Sequence, residues 1–437
     1  MQQELGCVQG SPGMILDETA ARSLRMRNPL RTPVWCGLAF FVYLFVLTTF
    51  IPTPQSAIDT ALAAGFTPDD IATGYQYGFE RRLIFWASSA VELALLLLLA
   101  CSAWGHRFAE GCRRATGDRW MPTLLLLGAF YYVVHELLQF PFAVGRFYHA
   151  HSWGMTTRGF GDWLRDHAIA FGINAVFQLI LLVGFYTLLR VFPKIWWLLA
   201  AVGASALGVA YAFLSPLLVA PLFNTFTPLA ETEWKNQEPA VRALIAKAGI
   251  PVKEILVMDA SRQGQHTNAY FSGFGSTRRI VLYDTLLQKH TPAEIESILG
   301  HEIGHWVHDH IVVGLAIGTL AAIVGLYLLH RFLGWVVGRS PWRLASPHDA
   351  AGLPLLLLIF FAASWFEMPL QNAIRRHFER QADAMALALA GQREAFIEAE
   401  RRLARNNLSN VAPPPWNVWL FASHPTAAQR IGMAMGE

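Results

Sequence analysis

The sequence predicts a mostly α-helical membrane protein of seven spans, with a soluble metal-binding domain that the last two spans divide and that holds a small β-sheet. Three observations carry that expectation. The 437-residue chain is 54% apolar and only 15% charged, whereas an ordinary soluble domain carries about a quarter charged residues. The deficit is concentrated in long charge-free runs separated by charged stretches, the pattern of a multi-span protein. The pentapeptide His301-Glu302-Ile303-Gly304-His305 then stands just before one of those runs.

Residues 1–33 form a polar segment, so no cleavable signal peptide is expected there. Apolar runs follow at 34–51, 83–104, 120–144, 167–189 and 195–219, giving five helices in the segment 34–219. Segment 220–310 has soluble composition and contains the pentapeptide; 311–366 holds two further spans, at 311–329 and 350–366; 367–437 is soluble again. A crossing helix needs about 20 apolar residues, and the first and last runs are near the short limit. Glu92 and the pair His135-Glu136 lie inside spans. Ionisable groups there face a bundle interior or a watery cavity, so they either bond one helix to another or line a polar chamber. The four cysteines form no Cys-x-x-Cys pair, which gives neither a disulfide framework nor a thiolate zinc site. A net charge of +3 without a dense basic run excludes nucleic acid as a partner. The lipid bilayer is the partner that the composition demands.

Thr291, Pro292 and Glu294 read as N-cap, N1 and N3 of a helix. Ile295, Ile298 and Leu299 supply its apolar stripe. His301 and His305, four apart, project from one face and suit a single Zn2+. Glu302, one position on, reaches a water beside the metal rather than the metal itself, the place of a general base. Gly304 costs about 1 kcal/mol of helix propensity against Ala and so implies close packing or a functional need. A third ligand is required, and Glu379 is the best candidate, with His377 as a rival pointing away from its face. Asp383, one turn beyond, is placed to accept from the outer nitrogen of a ligand histidine. The small residues Ala382 and Ala384 allow that helix to come close to the first. His308 and His310 read as polar residues where the helix meets the membrane.

Residues 268–271 and 279–283 read as strands joined by the glycine-rich turn SGFGST, a hairpin whose edge can hold an extended peptide by main-chain bonds. His424, before Pro425, is a candidate donor to an oxyanion, and Arg430 a partner for a site carboxylate. "HELLQ" at 135–139 is no zinc motif, because Gln139 stands where the second histidine belongs.

Together, "HTNAYFSGF" at 266–274, "RIVLYDTLL" at 279–287, "HEIGHWVHDH" at 301–310, "PLQNAIRRHFERQAD" at 369–383, "NNLSN" at 406–410 and "LFASHPTAAQRI" at 420–431 resemble the Ste24-type prenyl proteases, integral-membrane members of the M48 gluzincin group. The region from Phe140 is a weaker echo. The resemblance implies a seven-transmembrane helical barrel around a large chamber, closed on one side by a gluzincin-type zinc protease domain. It implies one zinc per chain on His301, His305 and Glu379, Glu302 as base, Asp383 behind a ligand, His424 near the oxyanion, and Asn268 and Ala269 on the peptide-aligning strand. A membrane-associated or carboxy-terminal peptide or protein is the expected substrate, and a monomer the expected working unit. Arginine-dominated basic residues and Ala- and Gly-rich spans point to a bacterial chain of the inner membrane, for which the resemblance carries the chemistry better than a prenylated substrate. Arginines before span one and in loops 105–119 and 330–349 put those segments in the cytoplasm by the positive-inside rule and the zinc domain across the membrane; eukaryotic members of the family place it on the cytosolic side. The competing readings are a transporter or channel, which leaves the large soluble insertion unexplained, and an inactive scaffold, which would have lost a ligand or the base.

Overall fold

The computed structural model describes residues 31–272, 279–339 and 344–436. Residues 1–30 and 273–278, which hold most of the arginine-rich amino-terminal segment and of the SGFGST turn, lie outside the described residues. The chain is mostly helical. Helices α1 (Arg31–Phe50), α2 (Gln55–Ala63), α3 (Pro68–Cys101), α4 (Ala103–Ala115), α5 (Trp120–Ser152), α6 (Phe160–Val191) and α7 (Trp196–Leu214) form the first half. Among the described residues six helices are long and apolar enough to cross a membrane, or seven if the bent pair at the start is one span. That pair bends by 50° between Phe50 and Gln55. Pro52 and Pro54 supply the reason, since proline removes a helical donor and disfavours helix in the residue before it. Several helices also run beyond their apolar cores: α3 begins at Pro68 and α5 continues to Ser152.

Glu92 of α3 accepts from Tyr131 of α5 at 2.6 Å and meets His135 Nδ1 at 2.6 Å. Glu92 and His135 thus bond one helix to another, the first of the two uses open to them.

The lobe of soluble composition follows. Strands β1 (Phe226–Pro228), β2 (Glu254–Met258), β3 (Ala269–Ser272) and β4 (Arg279–Tyr283) form one sheet in the order β1-β2-β4-β3. β3 and β4 are the expected antiparallel pair, with Ala269 opposite Leu282, while β2 runs parallel to β4. β3 is therefore an edge. Helix α8 (Glu238–Lys247) lies between β1 and β2, and α9 (Asp284–Lys289) leads into α10 (Pro292–Val307). The Thr291 hydroxyl accepts from Glu294 N, and Glu294 accepts from Thr291 N, so the capping box closes as read. Ile295, Leu299 and Ile303 of α10 bury themselves against Ile255, Val257, Ile280 and Leu282 of the sheet. That apolar seam anchors the pentapeptide helix to the lobe.

Helix α10 ends at Val307, and Asp309 adopts a left-handed conformation with φ 51° before α11 (His310–Val336). Left-handed backbone is uncommon outside glycine, with Asp among the residues that tolerate it. α12 (Leu353–Ala390) is continuous from the last apolar run to the third-ligand region. α13 (Arg393–Asn406), α14 (Pro415–Phe421) and α15 (Ala427–Met435) complete the lobe.

Candidate metal centre

α10 and α12 are held together by small residues. A Cβ built on Gly304 would stand 2.7 Å from Ala382 Cα and 3.0 Å from Ala382 O, and one on Gly300 3.1 Å from Ala386 Cα. That approach brings His301, His305 and Glu379 together with one ligand atom each inside 4.8 Å. His301 Nε2 lies 3.2 Å and His305 Nε2 3.5 Å from the Glu379 carboxylate, and the two nitrogens are 3.1 Å apart. Glu379 Oε2 is buried with no hydrogen-bond partner. A buried carboxylate whose two oxygens face two imidazole nitrogens, with Oε2 left without a hydrogen bond, fits one divalent cation, and the nitrogen and oxygen donor set suits zinc.

Asp383, fully buried, receives His301 Nδ1–H at 2.7 Å. Arg430 binds the same carboxylate through Nε at 2.9 Å and through Nη2, and reaches Glu400 with Nη1 at 2.8 Å. Burial works against a cationic His301, but its hydrogen bond to Asp383 and the Glu379 carboxylate beside it hold its pKa up to about 9. Burial and the neighbouring His301 push His305 down to about 4. The anionic side of the pocket thus favours positive charge, and the second histidine offers a neutral lone pair.

Glu302 keeps some exposure, yet the protein around it pushes its carboxyl up to about 7, with Glu379 adding to the effect. It is absent from the ligand cluster. His424 Nε2 stands 3.4 Å from Glu379 Oε2. Its loop is fixed because Asn372 donates to Leu420 O at 2.6 Å and Arg376 to Val418 O and Ala422 O at 2.7 and 2.6 Å. The Ser423 hydroxyl sits 2.8 Å from His424 Nδ1; by donating there it leaves Nε2–H directed at the site. Asn268 lines the cavity beside this site together with His424, and Ala269 begins the edge strand next to it. His377, the rival ligand, lines a second cavity with His308 and stands outside the cluster.

Two partners escaped sequence reading. Glu400 lies on the buried stripe of α13 with Phe396, Ile397 and Ala404, and an acid at that spacing was the available signal. His310 departs from its expected place at the membrane boundary. It is buried, its Nδ1 lies 2.9 Å from His305 Nδ1, its Nε2 lies 3.0 Å from Gln381 Oε1, and its ring stacks on Phe378 at 4.3 Å. The left-handed turn at Asp309 folds it back against His305. A ligand His305 must leave Nε2 bare, so Nδ1–H donates to His310 and His310 donates to Gln381. His310→Ala is expected to lower zinc affinity about 10- to 100-fold, while exposed His308→Ala leaves it unchanged; competition with a chromophoric chelator reads both. Equal affinities would reduce His310 to packing.

Comparisons with known proteins agree with this geometry. Residues 232–436 match peptidase family M48, and residues 55–225 match the CAAX prenyl protease N-terminal region of five membrane helices. An uncharacterized metalloprotease of Bacillus subtilis (strain 168), YhfN, is 31% identical over 415 residues, covering 92% of this chain and 96% of that one. The CAAX prenyl protease 1 homolog of Oryza sativa subsp. japonica is 34% identical over 235 residues, 52% of each chain. CAAX prenyl protease 1 of Saccharomyces cerevisiae is 32% identical over 233 residues, 49% of this chain and 50% of that one. These alignments thus span about half of each CAAX protease. The crystal structure of S. mikatae Ste24p superposes with a TM-score of 0.76 at 23% identity, covering 91% of this chain and 96% of that one, which is a likeness of fold.

Fold and site together define a membrane-associated zinc metalloprotease. The chain belongs to peptidase family M48.

Proposed function

We propose that this chain is a bacterial inner-membrane endopeptidase, acting as a monomer on membrane-associated or carboxy-terminal peptides, with no nucleic-acid partner. His301, His305 and Glu379 hold one zinc; Asp383 and Arg430 orient His301. The observation that carries the reading is the buried Glu379 carboxylate, whose two oxygens face the His301 and His305 nitrogens while Oε2 is left without a hydrogen bond. Its parts are the amino-terminal segment 1–33, five membrane helices in 34–219, a lobe from 220–310 and 367–437, and two spans in 311–366. The spans enclose a chamber that the lobe closes.

Zinc in this position supplies Lewis acidity to a water and to the scissile carbonyl. Glu302 takes the proton of the attacking water and hands one to the departing amine, a two-way role that a pKa near 7 serves. His424 donates its Nε2–H to the developing oxyanion. The strand edge at Asn268 and Ala269 aligns the peptide by main-chain bonds. No side chain attacks the carbonyl, so no acyl-enzyme forms.

The names of the rice and yeast relatives support a carboxy-terminal peptide as one substrate class. The test is metal dependence of the full chain in detergent. One zinc per chain is expected, with hydrolysis of an unstructured peptide abolished by chelator and restored by zinc. Undiminished hydrolysis by metal-free protein would sink the reading.

A further inference from the structure

A cavity of about 1300 Å3 lies beside the metal centre, lined by residues of both the lobe and the membrane helices. Its lobe side carries Asn268, His424 and Arg430, and its helix side carries Arg81, Arg82 and Arg146. The two halves are joined where the loop after α5 docks on the loop after β2. Thr156 donates to Gln263 O at 2.8 Å, and Gln265 N to Met155 O at 3.2 Å. The cavity wall is therefore built from both parts of the chain.

The charges on that wall do not balance. Arg430 is taken by Asp383 and Glu400, and Arg158 by Asp166 at 2.6 Å. Glu80, beside Arg81 in sequence, receives Gln76 and Trp153 at 2.7 Å each and meets His149 at 3.0 Å. Among the described residues this leaves Arg81, Arg82 and Arg146 with no carboxylate. Arg81 lies over the Tyr77 ring at 5.5 Å and Arg82 over Tyr75 and Phe79 at 5.9 Å, while the Arg82 Nε is buried without a partner. Aromatic faces hold these guanidinium planes and leave their edges free. Unpaired guanidinium groups in a half-enclosed space favour an anion, and their planar donor forks match a carboxylate.

The geometry points to an anion subsite at Arg81, Arg82 and Arg146 that takes a carboxylate of the peptide being cleaved. This rests on the endopeptidase reading and names a recognition element for it. A peptide laid along β3 with its scissile bond at the metal centre extends one arm into this cavity. The carboxylate is either the free carboxy terminus or an acidic side chain.

Three related peptides separate these sources: a free acid, its terminal amide, and the amide with one residue changed to glutamate. The zinc-loaded full chain is expected to cleave a carboxylate-bearing peptide about 10- to 100-fold better in kcat/KM than the plain amide, the range of one charged hydrogen-bonding pair. The difference should fall mainly in KM. In Arg82→Gln and Arg146→Gln the preference collapses toward one, and Arg146→Lys restores part of it. Dependence on the free acid assigns the subsite to the chain terminus; dependence on the glutamate assigns it to a side chain. Equal cleavage of all three peptides by the wild type, or a preference surviving both glutamine variants, overturns the subsite and leaves the protease intact. A zinc-loaded wild type that cleaves none of them overturns the endopeptidase reading, and the subsite with it.

Discussion

Glu302→Gln will lower peptide hydrolysis by about 10²- to 10⁴-fold, the usual contribution of a positioned acid–base group, and will retain one zinc per chain. The reason is a division of labour along one helical turn. His301 and His305 present nitrogens within the metal cluster together with Glu379, and Glu302 stands outside it. Glutamine has the size and polarity of the residue it replaces but neither takes nor returns a proton near neutrality. Burial already pushes the wild-type carboxyl up to about 7, so the native group passes readily between its two forms. Zinc content and hydrolysis must be measured on the same preparation. Loss of metal along with activity would mean that this carboxyl holds the ion instead of moving the proton.

Gly304→Ala should weaken the metal centre although no ligand is altered. Alanine gains about 1 kcal/mol over glycine in a helix interior, so propensity alone predicts stabilisation. The added methyl carbon would stand 2.7 Å from Ala382 Cα and 3.0 Å from Ala382 O. Those are backbone atoms of the helix that carries Glu379 and Asp383, with no flexible tip to yield. Overpacking of this kind costs about 1–3 kcal/mol, which exceeds the propensity gain, and relief comes only by moving α12 away from α10. That motion draws Glu379 away from both imidazoles. Zinc binding is expected to weaken at least tenfold, since small displacements of ligand-supporting groups already do so. Isothermal titration with zinc reads it; wild-type affinity in Gly304→Ala would mean that the two helices have slack at this crossing.

Much of the centre was legible because it is local. Two histidines four apart, a carboxylate pair four apart, a cap with proline at N1 and a small-residue run each carry their meaning within one turn of helix. The β3–β4 hairpin was legible for the same reason. What escaped depends on how distant elements meet. His310 is one of two histidines beyond a helix end, and only the left-handed Asp309 determines which of them turns inward. Glu400 needed the packing of α13 on α15 to become Arg430's second partner. The parallel pairing of β2 with β4 joins strands separated by β3. The bend after the first helix was written in Pro52 and Pro54 and concerned the same few residues, yet hydropathy alone reads across it.

Helix α12 has a consequence for any attempt to divide this enzyme. The side chain that completes the metal cluster rides on the same unbroken helix as the last apolar run, from Leu353 to Ala390. A cut that freed the hydrolytic lobe from lipid would pass through the rod carrying one of its three donors. Solubility and catalysis are in that sense competing demands on one piece of backbone, and the smallest active unit is an amphibious one.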